Sequence, residues 1–259
     1  MTGRRSKKSA GPLPIKKPPN VSLARALSKL GAASRARARE LILAGRVTVN
    51  GKVLANPELR VHPEGETIAV DGKVVARERR LYIMMHKPAG YVTTRSDERG
   101  RPTVHDLLKD TDRRLFPVGR LDQDSRGLLL FTNDTQWANA LMEPASKVTK
   151  VYDVLLNREM NDQDMERFRS GLILDDGYRT RPAKIGRSTR AGGRWVEVAI
   201  TEGKNRQVRR MTAALGYNVQ ALVRTRIGPV SLGGLEEGTT RPLTPDEIRA
   251  LKVKTARQP

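Results

Sequence analysis

The sequence of 259 residues contains no cysteine and few aromatic residues. Without cysteine the chain forms neither disulfides nor thiolate zinc sites, and it has no thiolate nucleophile. Its three histidines, His62, His86 and His105, are scattered without the spacing of metal ligands, so we expect no metal. A glycine-rich phosphate loop and a dinucleotide fingerprint are also missing, and we therefore expect no cofactor.

Long apolar runs are missing as well. No run approaches the roughly 20 residues that span a membrane, and no apolar segment follows the basic start, so we expect neither a membrane span nor a secretory signal. The absence of cysteine is compatible with a reducing compartment, and we expect a cytoplasmic location. Acidic residues number only 28 against 49 lysines and arginines, a formal net charge of +21. This charge indicates a polyanionic partner such as a nucleic acid, with an anionic membrane surface as the alternative.

The N-terminal part of the sequence divides into two regions. Residues 1–20 are rich in basic residues and proline and contain no acid, which predicts a disordered basic arm. Such an arm could attract phosphates, or it could serve only to keep the protein soluble. Residues 21–76 predict a small domain of two short helices followed by strands. Ser34 is a candidate cap of the second helix, and Asn50-Gly51 is a strong hairpin signal.

Basic side chains are concentrated on the predicted outer face of this small domain. Arg35 and Arg39 are four residues apart and share one face of the second helix. Because no acid balances the basic residues between positions 21 and 39, we predict that this face binds phosphates. The candidate phosphate-binding residues here are Arg25, Arg35, Arg39 and Arg46.

A charged linker is predicted at residues 77–80, followed by a larger second domain at residues 81–259. Strand-like runs occur at 81–85, 128–132, 151–156 and 195–200, and helix-like runs at 134–142, 164–170 and 206–215. Because strands and helices do not alternate regularly, we expect an α+β fold with a mixed, mainly antiparallel sheet.

The most informative stretch of the second domain spans residues 119–132. It places Asp122 on a polar turn bounded by Gly119 and Gly127, immediately before the apolar run 128–131. Such a run requires burial on both faces, which predicts a central strand. Asp122 is then expected at the edge of the core, partly shielded from water, where a carboxylate can perform chemistry.

Two further segments are expected to converge on Asp122. Tyr152 opens a strand and offers an aromatic ring on which one extruded base can stack. In residues 202–211, arginines three and four residues apart predict a shared face near the N-terminal end of a helix. One arginine about 4 Å from Asp122 would favour its ionised form by roughly 4 kcal/mol at an effective dielectric constant near 20. The candidate phosphate-binding residues of this segment are Lys204, Arg206 and Arg210.

These motifs together resemble those of a known enzyme family. The runs GRLDQDSRGLLLFTND, KVYDV and EGKNRQVRRM, preceded by HKPAGYVTT, are similar to motifs of the RNA pseudouridine synthases. They are most similar to the group that includes synthase A, which acts on small-subunit ribosomal RNA, and synthases B, E and F, which act on large-subunit ribosomal RNA. The ending LVRTRIGPVSLGGL…RPLTPDEI is most similar to the F branch of this group. The run SLARALSKLGAASRARARELILAGRVTVNGKV resembles the alpha-L RNA-binding domain, which implies docking on structured RNA.

The resemblance implies a fold and a reaction. The fold is a small alpha-L RNA-binding domain followed by a pseudouridine synthase catalytic domain. The reaction breaks the bond between uracil and ribose, turns the base and rejoins it through carbon five, without cofactor or metal. By resemblance, Asp122 is the catalytic aspartate, Tyr152 stacks on the target base and Arg209 pairs with the aspartate. Arg120 is implied to hold the flipped nucleotide, and Lys87 to support the catalytic loop.

Several alternatives remain open. We expect a monomer that modifies a uridine of structured RNA, first of all large-subunit ribosomal RNA, either free or within a ribosome under assembly. Small-subunit ribosomal RNA and tRNA are alternative substrates. Hydrolysis of a glycosidic bond by the pair Asp122 and Asp124 is an alternative reaction, in which Asp124 would be more than a solvated turn residue. A non-catalytic RNA-binding or ribosome-assembly factor is the alternative class of protein.

Overall fold

The computed structural model describes residues 20–63, 65–76, 79–108, 115–190 and 192–251. These residues form two compact units, one ending at Arg79 and the other beginning at Arg80. The predicted basic arm, apart from Asn20, lies outside the described residues, as do positions 77 and 78 of the predicted linker. Within the described ranges, no helix has both the length and the apolar character to cross a membrane. The same ranges contain no group of three or more histidine or acidic side chains that could hold a metal ion.

The first unit consists of two helices and short antiparallel strands. Its elements are β1 (Val21–Ser22), α1 (Leu23–Lys29), α2 (Arg35–Leu43), β2 (Val47–Val49), β3 (Lys52–Val53), β4 (Arg60–Val61), β5 (Ile68–Val70) and β6 (Lys73–Val74). The strands β3, β2, β5 and β6 pair in that order, and β1 pairs with β4. Leu23, Leu27 and Leu30 lie together in the core, as their helical spacing predicts.

Local sequence signals account for the turns of this unit. The hydroxyl of Ser34 accepts a hydrogen bond from the backbone N–H of Arg37 at 3.2 Å, which caps α2. Asn50 and Gly51, with φ of 50° and 81°, form the left-handed pair of a two-residue turn between β2 and β3. These predictions are confirmed because each depends only on neighbours in the chain.

The second unit contains one large sheet. Its strands are β7 (Tyr82–Lys87), β8 (Phe116–Val118), β9 (Arg126–Thr132), β10 (Lys150–Leu156), β11 (Lys184–Arg187), β12 (Trp195–Ile200), β13 (Val219–Ile227), β14 (Val230–Ser231) and β15 (Thr240–Pro242). Its α-helices are α3 (Thr135–Met142), α4 (Asp162–Ser170), α5 (Gln207–Ala213) and α6 (Pro245–Ala250). Short 3-10 helices lie at Val104–Leu107 and Pro144–Ser146.

The sheet is mixed and mainly antiparallel. Its strands pair in the order β11-β12-β10-β13-β9-β7-β15, with β8 on β9 and β14 on β13. The neighbours β13 and β9 run parallel, whereas the other pairs are antiparallel. This arrangement confirms the predicted α+β fold. Strand β9 lies between β13 and β7, and residues 127–132 of this strand are buried, as the apolar run predicts.

The sequence pattern does not predict β13, although this strand lies near the centre of the sheet. Polar residues at 220, 224 and 226 interrupt its apolar residues, so it shows neither a continuous apolar run nor a clean alternation. Arg224 is nevertheless only 4% exposed. The strand therefore places an arginine inside the sheet, at the level of the loop that carries Asp122.

Candidate active site

Asp122 lies on the loop between β8 and β9, in the wall of a cavity of about 590 Å³. Its side chain is 30% exposed, as expected for a residue at the edge of the core. Arg120, Arg206 and several residues of the segment 92–101 also line this cavity. The cavity thus combines an accessible carboxylate with guanidinium groups, which suits a substrate that carries phosphates.

Lys87, the last residue of β7, supports the loop of the candidate aspartate. Its side chain is fully buried, and its Nζ donates to the carbonyl oxygens of Pro88, Gln123 and Ser125 at 2.9, 3.4 and 2.7 Å. Burial lowers the pKa of Lys87 to about 8, although the charge of Asp124 acts in the opposite direction. Lys87 therefore fixes the backbone on both sides of Asp124, a contact of the kind that the resemblance implies.

Further hydrogen bonds tie this loop to the segment that follows β7. The Thr93 hydroxyl donates to the carbonyl oxygen of Leu121 at 2.6 Å and accepts from its N–H at 3.2 Å. The N–H of Gly90 donates to the carbonyl of Gln123 at 2.8 Å, and Nε2 of Gln123 donates to the carbonyl of Gly90 at 3.1 Å. The backbone around Asp122 is therefore fixed, while its carboxylate remains accessible.

Two arginines from the segment 202–211 reach the acids of this loop. Nη1 of Arg206 lies 3.6 Å from Oδ2 of Asp122, and its Nη2 lies 3.1 Å from Oδ2 of Asp124. Nη2 of Arg209 lies 3.2 Å from Oδ2 of Asp124 and donates to the carbonyl of Asp124 at 3.2 Å. The structure corrects two expectations: Arg206 rather than Arg209 is the ion partner of Asp122, and Asp124, although half exposed, is a partner of both arginines and not only a solvated turn residue.

The backbone conformation of Arg206 explains the first correction. This residue directly precedes α5 and has a φ of 47°, in the left-handed region. That region costs a residue with a side chain roughly 1–2 kcal/mol. Because Arg206 lies outside the helix, the spacing rule for helical faces does not apply to it. Its side chain can therefore reach Asp122, whereas Arg209, within the helix, reaches Asp124.

A buried polar network that no sequence motif indicated lies beside this left-handed residue. Glu202, only 7% exposed, accepts hydrogen bonds from the hydroxyl of Tyr178 at 2.8 Å and from Nε2 of Gln207. Oε1 of Gln207 accepts from the N–H of Lys204 at 3.0 Å. These bonds join the two ends of the segment 202–207 and hold Arg206 between them. In the sequence, the only indication of this network is that an acid, Glu202, and an amide, Gln207, flank a short polar segment.

Arg210 and Lys204, expected to bind RNA, have local partners in the structure. Nε of Arg210 donates to Oδ1 of Asp175 at 2.6 Å, and its Nη2 lies 2.7 Å from Asp176. Nζ of Lys204 lies 4.5 Å from the centroid of the Tyr178 ring. The expected single face of three arginines is therefore wrong, because Arg210 faces the turn at 174–178 and not the loop of the candidate aspartate.

Tyr152 lies on β10 and is only 8% exposed. Among the described residues it is not part of the lining of the cavity beside Asp122. Its register partner on β13 is Arg224, whose Nη1 donates to the carbonyl of Arg120 at 3.3 Å. The side chain of Arg120 is exposed and has no ion pair within the described ranges. Arg224 thus links the strand next to Tyr152 with the loop of Asp122.

The four candidate phosphate-binding residues of the first unit are Arg25, Arg35, Arg39 and Arg46. Arg39 pairs with Glu58 at 2.6 Å, and Arg46 pairs with Asp71 at 2.6 Å. The other two are exposed and have no ion pair in the part of the chain that the structure describes. The expectation of an unbalanced basic face is therefore wrong for Arg39 and Arg46, because folding brings in acids from 19 and 25 residues away.

Comparisons with known proteins agree on one family. The model of a family described as RNA pseudouridylate synthase matches residues 81–214, and an S4 domain model matches residues 21–68. An uncharacterized RNA pseudouridine synthase of Aquifex aeolicus is 40% identical over 89% of this chain and 93% of its own length. Ribosomal large subunit pseudouridine synthase B of Bacillus subtilis is 38% identical over 89% of this chain and 95% of its own. A crystal structure of a pseudouridylate synthase, 31% identical, superposes with a TM-score of 0.65 and covers 89% of this chain and 99% of its own.

Proposed function

Since this chain belongs to the RNA pseudouridine synthase family, we propose that it isomerises one uridine of large-subunit ribosomal RNA and that Asp122 is its catalytic residue. The observation that carries the proposal is the position of Asp122 in the cavity wall, next to Arg206 and Arg120. The large-subunit substrate is supported by the name of the Bacillus subtilis relative. That relative is of the B branch, so the F branch stays a prediction from the C-terminal motif.

The chemistry of isomerisation defines what the site must do. The bond between N1 of uracil and C1′ of ribose breaks, the base turns, and C5 bonds to C1′. C5 loses its proton and N1 gains one, so the mass of the RNA is unchanged. A base within a helix must first leave the stack, at a cost of a few kcal/mol that is smallest in loops. We therefore propose that the cavity receives a flipped nucleotide from a structured RNA loop.

Asp122 acts in its ionised form in this proposal. A carboxylate can attack C1′, add to the uracil ring or remove a ribose proton, and each of these steps requires the negative charge. The guanidinium of Arg206 lies 3.6 Å from this carboxylate and places a positive charge beside it. Access from the cavity allows the nucleotide to cover the pair and exclude water, which strengthens the interaction further.

Other side chains have supporting roles. Arg120 exposes its guanidinium beside the candidate aspartate, and we propose that it holds the flipped nucleotide. Arg209, whose side chain is only 12% exposed, holds Asp124 and thereby the loop. Tyr152 is proposed to stack on the base. In the first unit, Arg25 and Arg35 are proposed to contact phosphates. We further propose that the protein acts as a monomer in the cytoplasm.

The electrostatics of the loop disfavour the hydrolytic alternative. A glycosidase of the two-carboxylate type needs one carboxylic acid that stays protonated near neutral pH. Burial raises the pKa of Asp124, but hydrogen bonds from Arg206 and the charges of Arg209 and Arg206 outweigh burial and hold this pKa below its usual value. Asp124 is therefore ionised at neutral pH and is not the proton donor of such a pair.

The decisive experiment compares the wild type with Asp122→Asn on RNA labelled with tritium at C5 of uridine. Isomerisation releases this tritium, so we expect release by the wild type and a loss of at least roughly 1,000-fold in the variant. Affinity for RNA should change by less than tenfold, or about 1.4 kcal/mol. Asp162→Asn is the matched control, because that side chain is 90% exposed. Normal turnover by Asp122→Asn would remove this carboxylate from the mechanism.

The substrate is tested separately. Pseudouridines are mapped in total RNA from cells with and without the gene, and we expect one to disappear from large-subunit ribosomal RNA. Loss from small-subunit ribosomal RNA or tRNA instead would reassign the substrate and keep the chemistry. Free uracil as the product would indicate hydrolysis, and binding without turnover of any RNA would favour an assembly factor.

A further inference from the structure

Arg224 is a buried cation near the centre of the sheet. It is 4% exposed and has no carboxylate partner within the described residues. Its Nε donates to the carbonyl of Leu128 at 2.7 Å and its Nη1 to the carbonyl of Arg120 at 3.3 Å, while its Nη2 is buried without a partner. Burial of a cation without an acid destabilises the folded state. Folding alone would favour an apolar residue here.

Two other sheltered cations lie close to Arg224. Its positive charge acts together with burial to lower the pKa of both Lys87 and Lys150, and burial is the larger cause in each case. Lys87 holds the loop of Asp122 through carbonyl groups, as Arg224 does. Two buried cations, Lys87 and Arg224, therefore bond to carbonyl groups of the loop that carries Asp122.

The position of Arg224 connects the elements that the reaction needs. Its register partner on β10 is Tyr152, and its register partner on β9 is Gly127. Its guanidinium extends to Arg120, two residues before Asp122. One side chain thus spans from the strand beside the proposed stacking tyrosine to the backbone from which the proposed catalytic carboxylate projects.

We propose that Arg224 is a positioning residue, which acts through the carbonyl of Arg120 to hold Asp122 at a fixed distance from Tyr152. This inference rests on the function proposed for Asp122. Lys87 and Thr93 also fix this loop, Thr93 at Leu121, but they do not connect it to β13. Without the bond from Arg224 to the carbonyl of Arg120, the carboxylate of Asp122 shifts relative to the base. A misplacement of about 1 Å costs on the order of 100-fold in rate.

The test replaces Arg224 by Met and by Lys, with Arg226→Met as the matched control on the same strand, where Arg226 is exposed. For Arg224→Met we expect kcat to fall on the order of 100-fold, while KM and the Kd for RNA stay within about twofold, because a buried residue does not contact the RNA. Arg224→Lys keeps the charge and can make one hydrogen bond to a carbonyl, so we expect its kcat to be about tenfold higher than that of Arg224→Met. Arg226→Met should keep the wild-type kcat.

Several outcomes would overturn the inference. A folded Arg224→Met variant with wild-type kcat removes the positioning role, and a loss that falls on KM or Kd assigns Arg224 to RNA binding instead. If Arg224→Met does not fold, Arg224→Lys decides: a reduced kcat at wild-type Kd supports the proposal, and a wild-type kcat overturns it. Asp122→Asn is measured in parallel. An active Asp122→Asn refutes the proposed function, whereas an inactive one beside a fully active Arg224→Met refutes the role of Arg224 alone.

Discussion

The backbones of Gly127 and Arg224 lie so close together that position 127 has no room for a side chain. A Cβ at Gly127 would lie 2.3 Å from the carbonyl oxygen of Arg224 and 2.6 Å from its nitrogen. The two residues are partners in the parallel pairing of β9 with β13, and Gly127 has a φ of 108°. The strand after the loop of Asp122 can therefore enter the sheet only through a glycine.

Gly127→Ala should lower the free energy of unfolding by about 3 kcal/mol, because the new methyl group meets rigid backbone and the φ is unfavourable. Urea unfolding measures the change. Gly233→Ala is the matched control, since Gly233 has a φ of 57° and, apart from its chain neighbours, no described residue has an atom within 4 Å of an added Cβ. It should lose only about 1 kcal/mol. Equal losses in the two variants would contradict the close contact at Gly127.

Arg206 and Arg209 should differ in their effects on catalysis. Arg206→Gln removes the cation next to Asp122, and we expect kcat to fall roughly 100-fold or more, as for the loss of one group that stabilises charge in an active site. Arg209→Gln leaves that pair intact but removes bonds to Asp124 and to the carbonyl of Val219. It should lower the free energy of unfolding by about 1–3 kcal/mol and affect kcat less. The opposite order in kcat would restore Arg209 as the partner of Asp122.

Lys87 should make the free energy of unfolding increase with pH in the alkaline range. Its folded-state pKa is about 8, against an ordinary value of 10.5. Between these values the unfolded chain keeps a proton that the folded protein releases, so this contribution to stability is lost as pH falls towards 8 and grows as pH rises. Between pH ~8 and pH ~9.5 the free energy of unfolding should therefore rise by about 2 kcal/mol relative to that of Lys87→Met. Urea unfolding of both proteins measures the difference, and parallel pH profiles would refute the lowered pKa.

RNA affinity should depend steeply on salt. Contacts with about six phosphates give a slope of log affinity against log salt near −5. Replacing Arg25 and Arg35 by Gln should reduce this slope by close to two units, because neither guanidinium group pairs with an acid among the described residues. The control Arg39→Gln with Glu58→Gln removes an ion pair and leaves the net charge unchanged, so the slope should stay within about 0.5. A slope that the first two substitutions leave unchanged would exclude Arg25 and Arg35 as phosphate contacts.

Local patterns predicted much of the fold. The leucine spacing of α1, the cap at Ser34, the turn at Asn50-Gly51 and the apolar run of β9 all involve residues close together in the sequence. Strand β13 could not be found in this way. Its buried Arg224 is accommodated by the carbonyl groups of Arg120 and Leu128, about 100 residues earlier in the chain, and no local pattern reports such a partner.

By itself the sequence determined the family, the order of the two domains and the place of Asp122 before a buried strand, because these depend on residue types at short spacing. Only the tertiary structure decided which cation faces which acid. Arg206 rather than Arg209 meets Asp122 because Arg206 has a left-handed backbone conformation just before α5, which directs its side chain away from the helical face. Arg39 finds Glu58 because folding joins distant segments. Ion pairs form between side chains that are close in space, and only the complete fold determines which side chains are close.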